Sequence, residues 1–156
     1  MVGTIDDIDH RILGILQDNA RISNADIARE VGMAPSATLE RVRKLEERGL
    51  LKGYEARLDH NLLGRGLTAF IFVRSNEMPV GEGAAKALAA IEEVLEVHHV
   101  AGEDCFLVKV RAADTRDLHR LIRERLGAIP QVTSTRTTIV LETVKETLKL
   151  SLNGAG

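Results

Sequence analysis

The segment "SATLERVRKLEERG" carries Arg41, Arg43, Lys44 and Arg48 at helical spacing, with Glu40, Glu46 and Glu47 among them. On a wheel of ~100° per residue centred on Val42, Leu39, Leu45 and Thr38 fall on the apolar side. Arg41, Lys44 and Arg48 share one flank with the small Ala37, and Ser36, Glu40, Arg43 and Glu47 lie on the other. Cationic side chains behind small leading residues suit a helix that enters a DNA major groove, where Arg and Lys meet phosphates and base edges. The plainer alternative is a solvated surface helix, with Glu40–Lys44 and Arg43–Glu47 paired four residues apart.

Other residues with reactive side chains give weaker patterns. His98 and His99 are adjacent, so in a strand they point to opposite faces and do not form a metal-binding pair. Cys105 stands between Asp104 and Phe106 with no neighbouring cation to lower its thiol pKa, and reads as a small packed residue rather than a nucleophile. "GRG" at 64–66 and "GEG" at 81–83 are too short to cradle phosphates; they read as a hinge and a helix start. No Ser-His-Asp pattern is visible. We expect no catalytic residues, no metal and no cofactor among these patterns.

Composition narrows the partners. Aromatic residues make up 3% of the chain and Trp is absent, which disfavours single-strand binding by stacked rings and leaves Leu, Ile, Val and Ala to build the core. With a single cysteine no disulfide forms within the chain, which fits a reducing compartment. The acidic start "MVGTIDDIDH" lacks an apolar signal core, and apolar runs fall far short of the ~20 residues that span a bilayer. A cytoplasmic protein without membrane contact is expected. The net charge of −2, with 9 basic and 11 acidic residues in the first sixty, means that any DNA-attracting field comes from local arrangement.

Two periodicities divide the chain. Up to about residue 52 the spacing is helical: Ile5, Ile8, Ile12, Ile15 and Leu16 form one stripe, with Asp6, Asp7 and Asp9 in the first turn, where the helix dipole favours them. Ser23 and Asp26 have capping-box spacing, and Gly32 suits the C-terminal end of a short second helix. "MAP" is a tight connection into a third helix that begins at Pro35 and stops at Gly49. Three helices with a short turn between the last two form a helix-turn-helix layout. "LLKGYEARLD" alternates after Gly53 and reads as a strand, either a small wing or a connector. Beyond "HNLLGRG" the order is β-α-β-β-α-β, the ferredoxin-like arrangement. "AIEEV" (90–94) and "AIPQV" (128–132) form a weak repeat, each at a helix-to-strand corner. The expected organisation is an α+β chain: a helix-turn-helix domain over 1–52, a strand linker or hinge over 53–65, and a ferredoxin-like βαββαβ sandwich domain over 66–156.

The segment from "IDDIDHRILGILQDNARISNADIAREVG" through "MAPSATLERVRKLEERGLLKGY", together with "HHVAGEDCFLVKVRA" and "TSTRTTIVLETVKE", resembles the Lrp/AsnC family, the feast/famine regulators of bacteria and archaea. The likeness spans nearly the whole chain. It implies a winged helix-turn-helix joined to an α/β domain that mediates dimerisation, higher assembly and amino-acid sensing. By position it makes Ser36, Thr38, Arg41, Arg43 and Lys44 the DNA-reaching residues, Ser36, Arg41 and Lys44 foremost, and Arg48 joins them from the basic flank. The "AGEDCF" turn matches a family turn of Gly-Asp-x-Asp-aromatic form: Gly102 fits, Glu103 and Cys105 stand at the acidic positions, and Asp104 is displaced by one. Gly102, Glu103 and Asp104, with Thr135 and Thr137 of the last strand, are the expected effector-binding residues. Ala34 departs from the family's usual Ser and leaves the third helix without a side-chain cap, a loss of ~1 kcal/mol; the free N–H groups could meet a phosphate.

The resemblance implies a sequence-specific DNA-binding transcriptional regulator responsive to an amino acid or related small effector. The effector would bind between subunits of the C-terminal domain and alter assembly. The implied partners are double-stranded DNA, further copies of the chain as a dimer, tetramer or octamer, and an amino-acid-like ligand, in a nucleoid-associated cytoplasmic setting. Two alternatives are a nucleoid-architectural DNA-wrapping protein and a small-molecule-binding metabolic sensor without operator specificity.

Overall fold

A computed structural model describes residues 4–76 and 82–152. Of the helix start expected at 81–83, Gly81 lies outside them. The chain forms two compact units, one of residues before 58 together with those from Glu146 onward, the other of Leu58–Lys145.

The first unit holds α1 (Asp7–Asp18), α2 (Asn24–Val31) and α3 (Pro35–Glu47). Asp6 caps α1 by accepting from the Asp9 N–H at 2.8 Å. Ser23 caps α2 through the Asp26 N–H, and its hydroxyl donates to the Asp26 carboxylate at 2.6 Å. Gly32 ends α2 at φ +73°, a left-handed backbone that glycine adopts without steric penalty. The chain then turns through Met33 and Ala34 into α3. Ile12, Leu16, Ile27, Val31, Val42 and Leu45 form the core between the three helices, so the apolar stripes of the sequence converge as amphipathic helices require.

Two expectations change in this unit. No strand forms between Lys52 and Asp59, because that alternating segment meets no partner strand among the described residues. The chain's last part does not stay with the sheet. The Gln17 side-chain amide donates to the Leu150 carbonyl at 3.1 Å and accepts from the Leu150 N–H at 2.7 Å, and Lys149 pairs with Asp18 at 2.7 Å. These bonds join residues 146–152 to α1, whereas the expected boundary kept them in the C-terminal domain.

The second unit is a four-stranded antiparallel sheet of order β2-β3-β1-β4, formed by β1 (Leu67–Ser75), β2 (Val94–His99), β3 (Phe106–Ala112) and β4 (Val132–Ile139). α4 (Gly83–Ala89) and α5 (Thr115–Leu121), which widens into a π turn over Ile122–Leu126, connect the strands. Ala69, Ile71, Val73, Val108 and Val110 alternate onto the face that packs with Leu88, Leu118 and Leu126. The repeat is structural: the Ile91 N–H donates to Leu88 O and Val94 N–H to Ile91 O, and Ile129 and Val132 make the equivalent bonds to Leu126 and Ile129. β4 ends at Ile139.

Candidate functional site

α3 presents its residues in three ways. Thr38 is 0% exposed, and its hydroxyl donates to the Ala34 carbonyl at 3.1 Å. It sits on the core side, where the wheel puts it, and offers no side chain to DNA; it leaves the DNA-facing set. Arg41 is committed to α1. Its guanidinium donates to Asp6 at 2.7 Å and to Asp9 at 2.9 Å, with side-chain exposures of 29% for Arg41 and 11% for Asp9. The Asp9 backbone N–H and then Arg41 hold the Asp6 carboxyl below its ordinary range, and the two carboxylates, Asp6 first, raise the Arg41 pKa.

Arg43 and Lys44 remain outward, each with a side chain 63% exposed. Their ion pairs are long: Arg43 lies 3.9 Å from both Glu40 and Glu47, and Lys44 lies 3.7 Å from Glu40. Exposed pairs of this kind contribute little and yield readily to a phosphate. Ser36 is exposed in the first turn of α3. No side chain caps that turn, Ala34 standing at the N-cap. Arg48, at the C-cap of α3, lines a shallow groove of about 350 Å³ with Asp9, Met33, Ala37, Arg41 and Lys44. The flank that the wheel made uniformly basic is therefore faced by an acid of α1.

Leu39 is half-exposed rather than buried, and it lines an open groove of about 250 Å³ of mixed polarity with Leu16, Ile22, Val42, Arg43, Glu46 and Tyr54. The Tyr54 hydroxyl donates to Glu46 at 2.9 Å, which fixes the chain just beyond α3. Burial first, then the Glu46 carboxylate, pushes the Tyr54 phenol up to about 12. A raised phenol pKa stabilises the fold fully below the ordinary 10.0 and loses that contribution as pH rises through about 12. Tyr54 is the only tyrosine in a chain without Trp, so phenolate absorbance reads it alone. We expect a titration midpoint near 12 that falls in Glu46→Gln; a wild-type midpoint at 10.0 would show that the bond is absent.

In the second unit the expected effector residues divide between two faces. Gly102 has φ +134°, a conformation that sterically favours glycine. Asp104 accepts from Arg136 at 3.0 Å and lies 3.9 Å from Arg74, which also donates to Glu103 at 3.2 Å. The Arg136 guanidinium lies 4.2 Å above the Phe72 ring centre. Thr135 and Thr137 pair with Val73 and Ile71, whereas Arg136 pairs with Phe72. Directly paired residues share a face, so the two threonines are on the helix-covered side and Arg136, with its bond to Asp104, is on the other. The five residues expected to line one pocket share no face within a protomer. Strand alternation in "TSTRTT" is the signal that separates them, and it also identifies Arg136, which the sequence reading passed over. Arg74 carried no sequence signal of its own.

The two histidines do point apart. His98 contacts Glu96 at 3.0 Å, and this bond, followed by Lys109, lowers the Glu96 pKa. The His99 ring lies 5.2 Å from Phe106. Among the described residues no group of three or more His, Cys, Asp or Glu side chains is placed to hold a metal ion. No described helix is long and apolar enough to cross a membrane.

Both units have known relatives. Residues 5–52 match a winged helix-turn-helix DNA-binding family, and residues 68–150 match the Lrp/AsnC ligand binding domain. The chain is 39% identical over 145 residues to the leucine-responsive regulatory protein of Haemophilus influenzae, covering 92% of this chain and 87% of that one. It is 38% identical over 148 residues to the Escherichia coli K12 protein of the same name, covering 94% and 90%. Its fold matches a transcriptional regulator of Neisseria meningitidis solved in complex with L-Met, with TM-score 0.90, 30% identity and coverage of 96% and 98%. A feast or famine regulatory protein of M. tuberculosis complexed with L-methionine gives TM-score 0.87, 33% identity and coverage of 94% and 99%.

Proposed function

The chain belongs to the Lrp/AsnC family of transcriptional regulators, a non-enzymatic family, and from that membership we propose how it reads DNA and what it senses. α3 enters the major groove with Ser36, Arg43 and Lys44 toward the duplex, and its uncapped first turn meets a phosphate. The observation that carries this reading is the exposure of Arg43 and Lys44 on the second helix of the helix-turn-helix pair, held only by long ion pairs. Arg41 instead ties α3 to α1 and sets the helix at the angle it presents. Arg48 supports the basic flank from the C-terminal end of α3.

The effector is an amino acid. Two relatives of the same fold, at TM-scores of 0.90 and 0.87, were solved with L-methionine. The working form is a homo-oligomer, at least a dimer. Among the described residues helices cover one face of the sheet, and Phe70 and Phe72, two of the three phenylalanines, lie half-buried on the other. An antiparallel sheet with aromatic residues on its open face is stabilised by a second layer, and a second copy supplies one. A dimer presents two α3 helices to half-sites about 34 Å, one helical turn, apart. The Gly102–Asp104 loop of one protomer and Thr135 and Thr137 of another then contribute to one cleft between subunits, and effector binding shifts the balance between assemblies. A DNA-binding protein of this kind works in the cytoplasm, on the nucleoid.

Thermal-shift screening against the twenty amino acids tests the sensing half. A ligand that binds the folded state raises apparent stability, so at least one amino acid at millimolar concentration is expected to raise the melting temperature. A flat response to all of them would remove the effector from this account.

A further inference from the structure

We propose that the outer face of α5 is a second DNA contact: Arg116, His119, Arg120 and Arg123 form a basic stripe that holds the phosphate backbone of duplex flanking the site read by α3. The inference rests on the DNA-binding reading above and adds to it a surface on the second unit.

Four observations carry it. "DTRDLHRLIRERL" places Arg116, His119, Arg120 and Arg123 at i, i+3, i+4 and i+7, the spacing that puts side chains on one side of a helix. All four are exposed, the Arg120 and Arg123 side chains at 66% and 69%, while Leu118, Leu121 and Leu126 are buried in the core. The neighbouring acids are engaged or recessed. Asp114 caps α5 by accepting from the Asp117 N–H at 2.8 Å. Asp117, with its side chain 19% exposed, accepts from the Ala113 N–H at 2.9 Å and pairs with Arg65 and Arg120. Glu93 is half-buried in a cleft of about 220 Å³ beside α5. Glu124 is the exposed acid at the edge of the stripe, where it pairs with Arg123 at 3.1 Å. Among the described residues Arg116 has no acidic partner. With Arg65 and Arg125, five arginines face Asp114, Asp117 and Glu124, in a chain whose net charge is −2. Finally, α5 packs on the covered face of the sheet, so a second copy on the open face leaves the stripe in solvent.

DNA is the partner that this charge pattern fits. The stripe is about 10 Å long, over which one DNA strand offers about three phosphates at ~3.4 Å of axis each. A guanidinium fork meets a phosphate with two parallel N–H donors. The exposed pairs of Arg120 and Arg123 are weak and give way to that contact. The stripe meets backbone and not base edges, so it adds affinity without sequence preference. Once α3 holds its site, the flanking duplex is present at high effective concentration, and individually weak contacts count.

The test compares full-length wild type with Arg116→Ala/Arg120→Ala/Arg123→Ala and with Arg116→Lys/Arg120→Lys/Arg123→Lys. Each is titrated against the chain's own promoter site in duplexes from about two helical turns to about 150 base pairs, over a series of salt concentrations. Wild type binds the long duplex roughly ten- to a hundredfold more tightly than the short one, with a salt slope steeper by about 3. The alanine variant matches wild type on the short duplex and loses the gain in affinity and slope on the long one. The lysine variant keeps most of that gain. Circular dichroism and sedimentation follow fold and assembly. If wild type gains nothing from flanking DNA, or the folded alanine variant keeps the whole gain, the stripe is not a DNA contact although the α3 reading stands. If the alanine variant changes assembly and loses affinity for both duplexes equally, the stripe joins copies of the chain and the inference is wrong. If wild type does not prefer the short promoter duplex to a scrambled one, the α3 reading fails and this inference with it.

Discussion

Replacing Arg43 and Lys44 together by alanine weakens binding to the chain's own promoter DNA by roughly ten- to a hundredfold and lowers the slope of log affinity against log salt by about 2. The fold is unaffected. Both side chains are 63% exposed, and their acidic neighbours stand 3.7 to 3.9 Å away. Such pairs contribute about 0–1 kcal/mol to stability, so truncation leaves the helical unit intact. A phosphate offers each cation a shorter, charge-assisted contact and releases a counterion. Fluorescence anisotropy over a series of salt concentrations measures both quantities. An unchanged affinity and slope would remove Arg43 and Lys44 from the interface.

Arg41→Ala gives the opposite profile. It lowers the melting temperature of the helical unit by roughly 5–10 °C, and any loss of DNA affinity follows from that. Arg41 is the group that neutralises both Asp6 and Asp9, and without it the largely buried Asp9 carboxylate loses its cation. Arg41→Lys recovers only part of the stability, because an ammonium cannot bridge two carboxylates as a fork does. The pH response separates this role from a DNA contact. Asp6 has a depressed pKa, so its contribution is present above its ordinary 3.8 and is lost as pH falls through the folded-state value. Part of that depression comes from Arg41, so acid unfolding of wild type is steeper below pH 3.8 than that of Arg41→Ala. Thermal melts followed by circular dichroism across this range measure the effect. Equal melting temperatures for wild type and Arg41→Ala would return Arg41 to the DNA-facing set.

These two variants mark where local sequence patterns carry information and where they stop. Ile12, Leu16, Ile27, Val31, Val42 and Leu45 follow a 3.6-residue period, and that period alone gives three helices and their common core. The succession of strands and helices along the chain, β-α-β-β-α-β, follows from where strand-like alternation and helical spacing replace one another. Even Thr38, matched to a DNA-reaching position by resemblance, is put on the core side by the wheel. The partners of Arg41 escape such a reading because Asp6 and Asp9 lie 35 and 32 residues away. The helix dipole and the N-cap already account for acids at the start of α1. The Gln17–Leu150 pair spans 133 residues and uses backbone atoms, so no side-chain pattern announces it. The segment after Gly53 alternates as a strand should, but alternation shows only the capacity to pair, and pairing needs a partner. Opposite faces for Thr135 and Arg136 follow from alternation along β4, while the bond from Arg136 to Asp104 requires the fold to bring the loop beside that strand.

In the proposed function α3 of this chain reads a particular DNA sequence. The most direct test is an anisotropy titration of its own promoter DNA beside a scrambled duplex of equal length and composition, at one salt concentration. The promoter is expected to bind more tightly by about a thousandfold or more. Equal affinity for the two duplexes, with a steep salt slope for both, would contradict it and identify a protein that wraps DNA without reading it.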